Sequence, residues 1–81
     1  MSNQDTLAWI EEIVREELDN DSVNLAMEMT PSDVEGWDSI AHVGIIVAIE
    51  KRLGRQFTVD QIDRLKDIGD LVRLAQQTQI A

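Results

Sequence analysis

Cysteine is absent from the 81 residues. That one absence removes disulfides, zinc–thiolate sites and a cysteine nucleophile together. Long apolar runs are missing as well, and none approaches the ~20 residues needed to span a bilayer. The opening MSNQDTLAWIEE lacks the basic start and continuous apolar stretch of a signal peptide. A cytoplasmic protein with no membrane association is expected. Basic residues are scarce in the first half: residues 1 to 38 carry eleven acidic groups and one basic group, Arg15. Residues 39 to 81 carry five acidic and six basic groups, so the net charge of -9 is -10 in the first half and +1 in the second. Such a surface repels nucleic acid, and no aromatic platform accompanies the basic residues. It suits protein partners with basic docking patches, whose approach it steers.

A chain of this length forms one domain, residues 1 to 81. It buries little more than ~60% of its unfolded surface, which leaves a modest core. A binding or carrying role therefore fits better than catalysis beneath a lid. No catalytic residue and no metal ligand is assigned, and a monomer is expected.

Hydrophobic spacing supplies the elements. From Asp5 to Leu18, the residues Leu7, Ile10, Ile13, Val14 and Leu18 recur at steps of three and four, the pattern of an amphipathic helix. Asp5 or Thr6 is the candidate cap. Residues 19 to 38 hold the loop signals Asn-Asp-Ser, Thr-Pro-Ser-Asp and Glu-Gly. Val23, Leu25, Met27 and Met29 alternate with other residues there, yet no second strand candidate exists to pair with them. An extended loop that pins apolar side chains onto a bundle is the better reading. Loops of this length are usually functional or disordered.

A second helix is expected from Ser39 to Leu53, with Ile40, Val43, Ile46, Val47 and Leu53 facing inward and Ile45 and Ile49 widening the apolar surface. Gly44 interrupts it at a cost of ~1 kcal/mol relative to alanine, and Gly54 is placed to end it. Thr58 to Gln61 has the form of a capping box for a short helix through about Arg64. Asp67 can cap a last helix that buries Ile68, Leu71, Val72 and Ala75 and frays through Gln76, Gln77 and Gln79. Phe57, Leu65 and Ile68 would plug the end crossed by the short helix. The fold class is all-α: a small four-helix bundle of three main helices and one short one, with a long loop between the first two.

The sharpest question is posed by GWDSIAHVGIIVAIE, residues 36 to 50. Loop becomes helix at Asp38-Ser39. With Asp38 as N-cap, Ser39 is the first helical residue and its hydroxyl faces solvent. Unpaired backbone N–H groups and the helix dipole favour a phosphate ester there by ~0.3–1 kcal/mol. Position alone leaves two readings open, since the pair could simply share the capping work. A serine triad of Asp38, Ser39 and His42 is rejected on geometry: adjacent side chains diverge, and Asp38 would have to orient the histidine from its far side. His42 is expected to be exposed one turn beyond Ser39. Trp37 is read as an anchor for the loop; Trp9, Met27 and Met29 are read as packing.

The stretch GWDSIAHVGIIVAIEKRLG resembles the modification region of acyl carrier proteins. That family's hallmark is Asp-Ser-Leu opening a helix, then a valine, a pair of aliphatics and an acidic residue. Here these are Asp38-Ser39-Ile40, Val43, Ile46-Val47 and Glu50. The likeness continues through Phe57, residues 60 to 65 and Ile68-Gly69-Asp70, from about Leu7 to Leu74. It implies a discrete acyl carrier, not an enzyme, with Ser39 esterified by 4'-phosphopantetheine from coenzyme A. A magnesium-dependent phosphopantetheinyl transferase would install the arm, and acyl-loading and acyl-processing enzymes of fatty-acid, polyketide or related synthesis would use it. The arm's own thiol would hold acyl groups as thioesters, which gives the missing cysteine a coherent reading. The resemblance assigns Asp38 to the cap and the transferase contact. It assigns Ile40, Ile45, Val47, Glu50 and Ile62 to partner surfaces. It places Val43, Ile46, Phe57, Leu65 and Ile68 in the core or in a cleft for an acyl chain. Ile40 replaces the usual leucine, and Gly44 stands where many members have an acid. An aminoacyl or peptidyl carrier is the alternative within the class, although Gly36-Trp37 replaces the Gly-Gly common there. A helical interaction module that is never modified is the alternative outside it.

Overall fold

The structure is a computed structural model that describes residues 2 to 78. Helix α1 spans Asn3–Leu18, α2 Ser39–Leu53, α3 Val59–Asp63 and α4 Ile68–Thr78; a 3-10 turn at Pro31–Asp33 lies in the first loop. Helix α1 packs on both α2 and α4, which also touch each other. No strand occurs among the described residues. The all-α reading and the long first loop therefore hold. The expected fraying at Gln79 lies outside the described residues.

Helix α1 begins two residues before the expected start. Its cap is Ser2, whose Oγ accepts from the Asp5 N–H at 3.1 Å, not Asp5 or Thr6. Thr6 is instead buried, and its Oγ1 accepts a bond from Gln76 Nε2 at 3.4 Å. Ile10 and Val14 are fully enclosed, as their spacing requires. Asp19 ends the helix at φ 51°, a left-handed conformation that aspartate tolerates better than most residues.

Helix α2 has the expected bounds but turns a different face inward. Ile45, Ile46 and Ile49 are buried, whereas Ile40, Val43 and Val47 are 84%, 62% and 40% exposed. Of the expected inward stripe only Ile46 is buried and Leu53 half-buried. The inward row is 42, 45, 46, 49 and 53, a proper helical series. This helix is apolar nearly all round, so periodicity could not choose between adjacent rows. Gly54, at φ 72°, closes the helix with its N–H on the Glu50 carbonyl.

The short helix forms as its capping box dictates. Thr58 Oγ1 accepts from the Gln61 N–H at 3.1 Å, and Gln61 Oε1 accepts from the Thr58 N–H at 2.9 Å. Phe57 and Ile68 are buried and Leu65 half-buried at that end. Helix α4 buries all four expected residues and also Leu74.

The alternating run in the first loop finds its backbone partners in helices. Glu11 Oε2 accepts from the Leu25 N–H at 2.8 Å, and Arg15 Nε donates to the Val23 carbonyl at 2.7 Å. The carbonyls of Met27 and Met29 accept from the Gly69 and Ile68 N–H groups at 2.7 and 2.8 Å. Those are first-turn donors of α4, which lack partners inside their own helix. Val23 and Leu25 consequently lie in the core, with Met27 and Met29 packed against it. The alternation reported a half-buried extended segment, and side chains of α1 with the first turn of α4 replaced the missing strand.

Candidate functional site

The site is built where the loop meets α2. The Trp37 ring is buried against the bundle and fixes the loop's last turn, with the Trp37 N–H on the Val34 carbonyl at 3.2 Å. Asp38 follows as the N-cap; its Oδ1 accepts from the Ala41 N–H at 2.8 Å. Ser39 is then the first helical residue and is exposed. It lies in an open depression of about 570 Å³ lined by Pro31, Trp37, Asp38, Ser39, His42 and Val43. A serine hydroxyl so placed is accessible to an enzyme that would esterify it. A phosphate on it would also meet the positive end of the α2 dipole.

His42 departs from expectation. It is half-buried rather than exposed, because position 42 belongs to the inward row. Its Nδ1 accepts from Trp37 Nε1 at 3.1 Å, with the ring centroids 6.1 Å apart and tilted by 36°. A triad would need Asp38 on that nitrogen. Asp38 is occupied by the helix start and the nitrogen by an indole, so the structure agrees with rejecting a triad.

The other sequence-derived residues separate by exposure. Ile40 and Val47 project from α2 into solvent, and Val43, expected inside, projects with them. Ile45 is fully buried and cannot face a partner, so that assignment is corrected. Glu50 is half-buried, and its Oε2 accepts from the Phe57 N–H at 2.7 Å, holding the turn after α2. Ile62 packs against the core from the short helix. Val43 reads as inward in the sequence because an apolar residue at helical spacing gives the same signal whether its row faces the core or solvent.

Among the described residues, no group of three or more histidines and acids gathers to hold a metal ion. Among the same described residues, no helix is long and apolar enough to cross a membrane.

Comparison with known proteins agrees with this geometry. Residues 8–75 match the family model described as "Phosphopantetheine attachment site". An acyl carrier protein from Helicobacter acinonychis is 25% identical over 72 residues, 89% of this chain and 92% of the relative. One from Phytoplasma mali is 29% identical over 68 residues, 84% of this chain and 81% of the relative. The solution structure of a holo acyl carrier protein from Geobacter metallireducens superposes with a TM-score of 0.83 at 33% identity. That likeness covers 90% of this chain and 84% of the other. The family match spans the helices and the loop that together present an exposed serine, and the chain belongs to the acyl carrier protein family, whose members are carriers rather than enzymes and hold a covalently attached 4'-phosphopantetheine.

Proposed function

We propose that Ser39 is the residue that bears the phosphopantetheine arm, and that the chain carries acyl groups between biosynthetic enzymes of the cytoplasm as a monomer. The observation that carries this reading is the exposed Ser39 at the first position of α2, directly after its Asp38 cap. When attached, the arm supplies a thiol on which acyl groups are held as thioesters. The chain's own residues do the rest. Asp38 keeps α2 started at residue 39, so the Ser39 hydroxyl stays out of the core. Trp37 and His42 hold the wall behind it. Ile40, Val43 and Val47 offer an apolar ridge leading away from Ser39, and this ridge receives the transferase and the acyl-loading and acyl-processing enzymes. Glu50 and Ile62 serve the frame: Glu50 fastens the turn after α2 through the Phe57 N–H, and Ile62 packs against the core. The absence of cysteine leaves no thiol in the chain to compete with the arm.

Intact-mass measurement after incubation with coenzyme A, magnesium and a broad-specificity phosphopantetheinyl transferase tests the reading. The wild-type chain gains one arm and Ser39→Ala gains none. A wild-type chain of unchanged mass favours an unmodified interaction module and removes the proposal.

A further inference from the structure

Glycine is a poor residue for the middle of a helix, and Gly44 stands near the centre of α2. The structure gives it a use. A β-carbon built on Gly44 would stand 2.6 Å from Glu17 Oε2 and 3.3 Å from the Glu17 carboxyl carbon. The Glu17 carboxylate, reaching across from α1, fills the place that a side chain at position 44 would take.

That place is on the ridge. Residues three and four apart share a helix face, so position 44 is flanked by Ile40 and Val47, both exposed. A negative charge from α1 therefore sits beside the apolar ridge of α2. It is not neutralised locally: the ion pairs among the described residues join Arg15 to Glu11 and Arg73 to Asp67 and Asp70, and none engages Glu17. Acidic groups crowd the first half of the chain, but this one, though exposed, lies where α1 approaches α2 beside the ridge.

We infer that Glu17 is a specificity-determining residue for the transferase that modifies Ser39, pairing with a basic side chain that the enzyme sets beside an apolar hollow. The inference rests on the assignment of Ser39. Gly44 lies five residues along α2 from Ser39, about 7.5 Å of helix rise. An enzyme acting at Ser39 that covers a standard ~800 Å² of this chain reaches that far. A charge at the edge of such a contact acts mainly on the rate of encounter and on salt dependence. Gly44 contributes by leaving the carboxylate room to lie against the ridge.

The test measures kcat/KM for loading from coenzyme A by the same transferase, at low and at high ionic strength. Glu17→Gln lowers kcat/KM about two- to five-fold at low salt, the range of one exposed ion pair; it leaves kcat unchanged and flattens the salt dependence. Glu16→Gln, which changes the net charge equally one residue away, has no such effect. Glu17→Ala combined with Gly44→Glu moves the carboxylate onto α2 and restores the rate. Equal losses in the two glutamine variants, or a Glu17→Gln chain loaded like wild type, overturn this inference and leave the assignment of Ser39 standing. A wild-type chain that is never loaded overturns both.

Discussion

At the scale of single residues, the contact that most distinguishes this site is the bond from the Trp37 indole to His42 Nδ1. It joins the last residue before the cap to the inward row of α2, and so ties the loop to the helix that presents Ser39. His42→Phe removes the acceptor while keeping a ring of similar size. It should cost about 0.5–1.5 kcal/mol, the net worth of one such bond. His42→Gln, which can still accept, should cost less. Thermal denaturation followed by tryptophan fluorescence distinguishes the two, and equal stability of both variants with wild type refutes the coupling. Asp38 and Ser39 were legible in the sequence because capping is decided within four residues. The role of His42 was not, because it depends on which row of α2 faces the bundle, and the sequence between residues 40 and 49 offers several apolar rows.

At the scale of elements, helix starts are governed by side chains that bond to first-turn N–H groups, and α4 shows the electrostatic consequence. Asp67 Oδ1 accepts from the Asp70 N–H at 2.8 Å, while Asp70 accepts from the Lys66 N–H and from Arg73 Nη2 at 2.7 Å. The Arg73 bond first, then the Lys66 N–H, hold the Asp70 carboxyl below the usual carboxylate range. A folded value below the unfolded one means that the ionised form favours folding. This contribution is complete above the ordinary aspartate value of ~3.9 and is lost as pH falls through the lower folded value. Arg73→Gln should raise the Asp70 titration towards the ordinary value, as followed by NMR of its carboxyl carbon. The stability difference from wild type should be present at neutral pH and vanish under acid. A titration unchanged by the substitution contradicts the assignment. The capping box at Thr58 and the Asp67 cap were readable in advance, since residue type and spacing carry them. The start of α1 at Ser2 was not, because the hydrophobic pattern begins later than the helix.

At the scale of the whole molecule, the first loop and the start of α4 form one unit. The loop looked anomalous as a sequence, with an alternating run and no strand to receive it. Its carbonyls in fact close the orphaned donors of α4, a pairing between residues about forty apart that local pattern cannot disclose. Gly69 is the point of closest approach: a β-carbon there would lie 3.0 Å from the Met27 carbonyl oxygen and 3.2 Å from Arg73 Nη1. Comparing the same substitution at Gly44 separates helix propensity from packing. Alanine gains up to ~1 kcal/mol of helix preference over glycine at either site. At Gly44 it meets only the end of a flexible glutamate, which can swing into solvent, so Gly44→Ala should raise stability by up to ~1 kcal/mol. At Gly69 it meets backbone that is held by the Met27 and Met29 carbonyl bonds and by Val23 and Leu25 in the core. Displacing that segment should cost about 1–3 kcal/mol, as crowding of a packed interior does, and should outweigh the propensity gain. Urea denaturation of the two variants beside wild type should therefore move the midpoints in opposite directions. If Gly69→Ala is stabilised as much as Gly44→Ala, the loop is not fastened to α4 by this contact.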